Sequence, residues 1–272
     1  MEYVTAHGES VPAVGLGTWQ LSSQSAYESV STALDLGYRH VDTAQIYGNE
    51  DGVGDAIADS AVDRESVFLT TKVDPRHRQT EAIVSSVRDS LDRLGVDQVD
   101  LLLIHWPNPL ASLETVIEGL NETVRLGYTR QIGVSNFSRG RLHRARTLSD
   151  APIFTNQVLF HPWWPQRDLL RYCQEHDVLL TAYSPLATGG AVSDDLLGEI
   201  GAKYRKSAPQ VAIRWVTQHE NVLTIPSSTS RDHLADNIEV FDFKLTREEH
   251  DRITRPSHIQ TGITMLRGML GD

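Results

Sequence analysis

The chain has 272 residues, 40% of them hydrophobic, and a formal net charge of -11 at pH 7. That length suits one large α/β domain or two small ones, and it buries enough surface to fold without covalent staples. The single cysteine, Cys173, excludes an internal disulfide and cysteine-rich zinc sites, and the acidic balance argues against nucleic acid or an anionic membrane as a partner.

The N-terminus, Met1-Glu2-Tyr3-Val4-Thr5, has no basic stretch with an apolar run behind it, so a cytoplasmic protein is expected. A short hairpin around His7-Gly8-Glu9 precedes the first repeat and is placed to plug a barrel bottom. From there a short β-branched apolar run is followed, again and again, by a stretch of helical periodicity. Strands are predicted at 14–18, 39–42, 67–73, 99–105, 131–135, 154–159, 178–183 and 222–226. Helices follow at 25–36, 51–58, 80–94, 113–126, 138–148, 167–176, 194–204 with 208–218, 231–240 and 247–254. Gly37, Gly95 and Gly127 close helices, and Ser138 opens one.

Eight βα pairs in sequence imply parallel strands with right-handed crossovers. An open doubly wound sheet is the competitor, but Gly15-Leu16-Gly17 and Gly52-Val53-Gly54 both lack the third glycine of a dinucleotide fingerprint. Residues 1–272 therefore read as one α/β domain, a (β/α)8 TIM barrel with a short N-terminal β-hairpin at its bottom.

Catalytic groups in such barrels come from the C-terminal strand ends. Strand 2 ends in Asp42 and runs on to Tyr47, strand 3 ends in Lys72, and strand 4 ends in His105. These strands are neighbours, so the four groups are expected at one mouth. A phenol is a poor acid at neutral pH; an adjacent ammonium favours the phenolate, and a carboxylate holds the ammonium charged. An imidazole can direct a carbonyl oxygen. Singly, each residue reads as ordinary packing or an ion pair. Gly133-Val134-Ser135-Asn136-Phe137 lacks the closing glycine of a serine-hydrolase elbow, and no clustered His/Asp pattern suggests a metal.

Several long motifs occur in order. They are Gly37-Tyr38-Arg39-His40-Val41-Asp42-Thr43-Ala44 with Tyr47-Gly48-Asn49-Glu50, then Leu102-Leu103-Ile104-His105-Trp106-Pro107, and Ile132-Gly133-Val134-Ser135-Asn136-Phe137. Asn156-Gln157 with His161-Pro162, and Tyr183-Ser184-Pro185-Leu186, complete the set. From Gly15 to about Phe243 the chain resembles the aldo-keto reductase family, and in length its compact microbial members.

The resemblance implies an NAD(P)H-dependent reductase of small aldehydes and ketones, including dicarbonyls and keto-sugars. Tyr47 would be the proton donor, Lys72 would lower its pKa, Asp42 would pair with Lys72, and His105 would orient the carbonyl. Ser135, Asn136 and Gln157 would bind the nicotinamide amide, and Tyr183 would stack on its ring. Ser184 and Leu186 would begin the segment over the pyrophosphate, and Thr18 would touch the cofactor. Trp19, Ile46 and Trp106 would wall the substrate. The implied partner is a small carbonyl or alcohol, with the protein a monomer or weak oligomer. Some barrels of this family are non-catalytic nicotinamide-binding subunits, which is the alternative reading.

The family's NADP-preferring members carry Ile-Pro-Lys-Ser, then an Arg five residues after that Ser. Here the chain has Ile225-Pro226-Ser227-Ser228, and His233 where the Arg would be, while Asp236 and Asn237 match the adenine end. Losing both cations predicts weakened NADP preference, hence use of NADP(H), NAD(H) or both, with Ser227, Ser228, Thr229 and His233 as partial substitutes. The loop at Val73–His77 lacks the aromatic of many relatives, and the loop Pro107-Asn108-Pro109 is short, so an open pocket is expected. Finally, only four of the 25 basic residues are lysines (Lys72, Lys203, Lys206, Lys244), which suits either a surface adapted to high salt or an arginine-biased genome.

Overall fold

The computed structural model describes residues 1–257 and Gly262. Two antiparallel strands, β1 (Tyr3–Ala6) and β2 (Glu9–Pro12), form a hairpin. His7 and Gly8 make its two-residue turn at φ 49° and 83°, the left-handed pair such a turn requires.

Eight parallel strands follow in the order of the chain: β3 (Leu16–Gly17), β4 (His40–Asp42), β5 (Phe68–Val73), β6 (Val99–Ile104), β7 (Thr129–Ser135), β8 (Ile153–Leu159), β9 (Leu179–Tyr183) and β10 (Val222–Thr224). A parallel bridge between Val14 and Thr224 brings the first and last strands together. Gly17 N donates to Pro226 O across that seam at 3.2 Å. A Cβ on Gly17 would sit 2.7 Å from Ile225 O, so only glycine fits there.

Ten α-helices lie among the described residues. In chain order they are α1 (Ser23–Asp35), α2 (Glu50–Ala58), α3 (Thr80–Leu94), α4 (Leu113–Arg125) and α5 (Arg139–Leu148). They continue with α6 (Arg167–Glu175), α7 (Asp195–Tyr204), α8 (Ala208–Thr217), α9 (Arg231–Ile238) and α10 (Arg247–Ile253). The caps explain most of the boundaries. Ser22, Ser112, Ser138, Asp194, Ser207, Ser230 and Thr246 each accept a backbone N–H from the first turn. Gly95 ends α3 at φ 65°.

The continuous apolar run of β6 is explained by burial on both faces. Leu102 and Ile104 join the outer layer with Ile83, Val87, Ile117 and Leu120 of α3 and α4. Leu101 and Leu103 point inward with Phe154, Leu179 and Leu223, and Ala6 and Val11 of the hairpin pack into the same inner cluster. The barrel is thus a filled core below and a polar mouth above. Two single-turn 3-10 helices, Gln45–Tyr47 and Arg64–Ser66, lie in stretches where sequence periodicity gave no element. Among the described residues no helix is long and apolar enough to cross a membrane.

Candidate active site

Register brings the chemistry together. Asp42 is the last residue of β4 and pairs with Thr70 of β5, which puts Lys72 one pleat further along. His105 follows β6, its backbone N–H held by Val73 O at 3.2 Å. Tyr47 ends the 3-10 turn beyond β4, and Gly48, at φ 65°, lets the chain leave that turn into α2.

Lys72 is fully buried, and its three N–H groups are all engaged. They donate to Asp42 Oδ1, to Thr43 O at 2.9 Å and to Tyr47 Oη at 3.3 Å. Tyr47 Oη lies 3.5 Å from His105 Nε2, with the two rings edge-on. Because the phenol oxygen accepts from Lys72, its own hydrogen is free to be donated.

The charges follow from burial and pairing. Burial disfavours the Lys72 ammonium, but Asp42 and Tyr47 outweigh it and hold the pKa above its ordinary value. Burial raises Asp42 against the pull of Lys72 and of Gln157. It also raises Tyr47, against the pull of Lys72, so the expected lowering by Lys72 is real but smaller than the desolvation of the phenolate. Burial and the nearby Lys72 charge push His105 down to about 3, opposed by Asp74. The imidazole is therefore neutral at physiological pH. Its Nδ1 is buried without a partner. A bare lone pair is cheaper to bury there than an N–H, which puts the hydrogen on Nε2.

The polar ring around this cluster is continuous. Gln157 Nε2 donates to Asp42 Oδ2 at 2.7 Å, and Ser135 Oγ donates to Gln157 O at 2.8 Å. Asn136 Nδ2 donates to Ser135 Oγ and to His105 O, and Tyr183 Oη donates to Asn136 Oδ1. Asp42, Tyr47, Lys72, His105, Ser135, Asn136, Gln157 and Tyr183 thus form one network. Thr18 is turned inward, its hydroxyl spent on Asp42 O at 3.1 Å. Trp19, Ile46 and Trp106 are 40%, 47% and 44% exposed, which leaves apolar walls in open solvent at the mouth.

The remaining predicted residues lie apart from that network. Ser184 and Leu186 are half-buried in the loop after β9, where Ser184, Ala187, Thr188 and Gly189 all have φ between 48° and 82°. Ser227, Thr229, His233 and Asp236 are exposed and Ser228 half-buried around the start of α9. Ser228 Oγ accepts from Ser230 N at 3.1 Å. Asn237 is buried beside Tyr38.

These residues fit a nicotinamide dinucleotide. Gln157 spends its amide N–H on Asp42 and keeps Oε1 as an acceptor for a carboxamide. Tyr183 offers a half-buried flat ring. Hydroxyls and the first-turn N–H groups of α9 suit an anion at the far end. No group of three or more metal-ligating side chains occurs among the described residues.

Sequence reasoning missed the second layer. Asn49 is fully buried, donating to Thr18 O and Leu21 O and accepting from Thr43. Glu50 accepts from Thr71 Oγ1 at 2.5 Å and from Arg93. Asp74, 4% exposed, is clasped by Arg76 and accepts from its backbone N–H, an Asx-type turn visible as Asp-x-Arg.

A parallel barrel with this half-buried phenol and buried ammonium and carboxylate at its mouth defines a barrel oxidoreductase. The chain belongs to the aldo/keto reductase family, whose profile (Aldo/keto reductase family) matches residues 13–257. It is 40% identical over 250 residues to the glyoxal reductase of Bacillus subtilis (strain 168), covering 91% of this chain and 89% of that one. It is 39% identical to the methylglyoxal reductase DkgB of Salmonella typhi, covering 90% and 92%. The solved Bombyx mori aldo-keto reductase in complex with NADP superposes with a TM-score of 0.86 at 32% identity, covering 93% of this chain and 92% of that one. The protein is a reductase of a family that acts on small carbonyl compounds.

Proposed function

We propose that this protein reduces small aldehydes, dicarbonyls and keto-sugars to alcohols, with Tyr47 as the proton donor. One observation carries the reading: the phenol oxygen of Tyr47 lies 3.3 Å from a fully buried ammonium that is itself paired to Asp42.

When bound, the nicotinamide dinucleotide supplies the hydride to the carbonyl carbon. Tyr47 Oη gives its proton to the carbonyl oxygen as the alkoxide develops. Lys72, held charged by Asp42, stabilises the phenolate left behind. His105, neutral because its pKa is about 3, donates from Nε2 and fixes the direction of the carbonyl without acting as an acid. Ser135, Asn136 and Gln157 would hold the carboxamide, Tyr183 the ring face, and Trp19, Ile46 and Trp106 the apolar side of the substrate. Similarity to proteins named glyoxal and methylglyoxal reductase supports short dicarbonyls as substrates of this chain, and the exposed apolar side chains support low selectivity.

At the far end, Ser227 and His233 stand where two cations would clasp a 2′-phosphate. We read this as weakened NADP preference, with Ser228, Thr229, Asp236 and Asn237 completing the adenine end. A single barrel domain, a cytoplasmic setting and a monomer or weak oligomer belong to the same reading.

The test is dinucleotide oxidation with glyoxal, methylglyoxal and keto-sugars, using NADPH and NADH, for wild type and Tyr47→Phe. Wild-type turnover, with about a 10²- to 10⁴-fold loss in the variant and dinucleotide binding retained, is expected. Wild type that binds dinucleotide yet turns over no carbonyl points instead to a non-catalytic subunit. An NADPH preference above about a hundredfold, some 2.7 kcal/mol, ends the cofactor reading.

A further inference from the structure

We propose that Gln45 is a positioning residue for Tyr47, its amide tying the turn that carries the phenol to the end of β5 and to α3. The proposal rests on Tyr47 being the proton donor.

Asn49 fixes the exit of the turn, through Thr43, Thr18 and Leu21, but the backbone of the turn itself is lightly held. Its backbone contributes two hydrogen bonds, Tyr47 N to Ala44 O at 3.1 Å and Gly48 N to Gln45 O at 3.4 Å. Ala44, at its N-terminus, makes no side-chain cap. Ile46 projects into solvent. Besides Tyr47 itself, Gln45 is the turn residue whose side chain reaches into the fold.

Both ends of its amide are used. Gln45 Oε1 accepts the backbone N–H of Asp74 at 2.8 Å. Gln45 Nε2 donates toward Ser86 O at 3.0 Å, Ser86 Oγ at 3.2 Å and Ser90 Oγ at 3.0 Å. Ser86 Oγ is itself oriented as an acceptor, because it donates to Ile83 O at 2.8 Å. Asp74 lies two residues beyond Lys72 along the chain. One side chain therefore connects the element bearing the phenol with the element bearing the ammonium and braces both against α3. The geometry it guards is the 3.3 Å contact between Tyr47 Oη and Lys72 Nζ.

A misplacement of about 1 Å at a reacting group costs on the order of 10²-fold in rate. A strut of this kind acts on the chemical step and leaves dinucleotide binding alone. The residues assigned to the carboxamide and the ring lie on β7, β8 and β9, and no hydrogen bond joins them to Gln45.

The experiment uses the full-length protein with methylglyoxal and NADPH. Gln45→Met keeps the length of the side chain and removes every hydrogen bond. It is expected to lower kcat by about 10- to 100-fold while the dissociation constant for NADPH stays within about twofold. Ser90→Ala, distant from the reacting atoms, is expected to lower kcat less, and to have no further effect in the Gln45→Met background.

Wild-type kcat in Gln45→Met overturns the proposal, as does a kcat loss matched by loss of NADPH binding, which would mark general damage to the site. Should Gln45→Met fail to fold, the Ser86→Ala/Ser90→Ala pair decides: a kcat loss supports the strut and an unchanged kcat overturns it. Tyr47→Phe separates the two claims. If it keeps full turnover, the proton-donor reading falls and the proposal falls with it. If it is inactive while Gln45→Met is fully active, the proposal alone falls.

Discussion

The tetrad end and the adenine end of this site are built in opposite ways. Around Lys72 the charges are buried and all three ammonium donors are committed: Asp42 is 2% exposed, Lys72 is fully buried, and Gln157 locks the second carboxylate oxygen. Around α9 the predicted contacts are mostly exposed: the hydroxyls of Ser227 and Thr229 on the loop before the helix, and His233 in its first turn. Buried charge gains strength from low dielectric but makes each partner hard to remove. Exposed hydroxyls are easily exchanged and bind phosphate less firmly than a cation does. On the proposed function, the first region sets the chemistry, and the second is where cofactor preference can change without disturbing the fold.

Removing one member of the buried pair tests the contrast most severely. Asp42→Ala leaves the Lys72 ammonium uncompensated and is expected to cost about 3–5 kcal/mol of stability along with the activity. Denaturant unfolding of Asp42→Ala beside Asp42→Asn/Lys72→Met measures this. A single variant as stable as the double would break the comparison at its root.

Acid probes the same region without mutation. His40 and His105 are both pushed down to about 3, by burial first, opposed at His40 by the backbone carbonyl of Pro12 as an acceptor and at His105 by Asp74. Unfolded histidine takes up its proton near pH 6.5, so the unfolded state binds more protons between that value and 3. Stability is therefore complete above about pH 6.5 and falls as the pH drops, by up to about 1.4 kcal/mol per pH unit for each histidine. Unfolding free energies measured from pH 7 to 4 should show this slope, and His40→Leu should reduce it. A flat profile would mean these rings are not kept neutral by burial.

The smallest expected effect lies at the exposed end. Ser227→Lys with His233→Arg is expected to raise the NADPH-to-NADH efficiency ratio by about 10- to 100-fold, or about 1.4–2.7 kcal/mol for the two exposed contacts together, with melting temperature unchanged. A ratio that stays put would show that the phosphate is bound elsewhere.

The sequence by itself determined the alternation of strands and helices, the hairpin, and the groups at the ends of β4, β5 and β6. Apolar periodicity reports which face is buried, and capping residues report where helices begin and end. The predicted strand ends then put Asp42, Tyr47, Lys72 and His105 at or just beyond the tips of neighbouring strands. Tertiary structure alone decided that burial outweighs Lys72 in setting the Tyr47 phenol, that His105 is neutral, and that Thr18 faces Asp42. It alone showed the hydrogen bonds that Gln45, Asn49 and Glu50 make around the turn that carries Tyr47. Desolvation and side-chain hydrogen bonds depend on neighbours distant in the chain, such as the 115 residues between Asp42 and Gln157, and no local pattern encodes them.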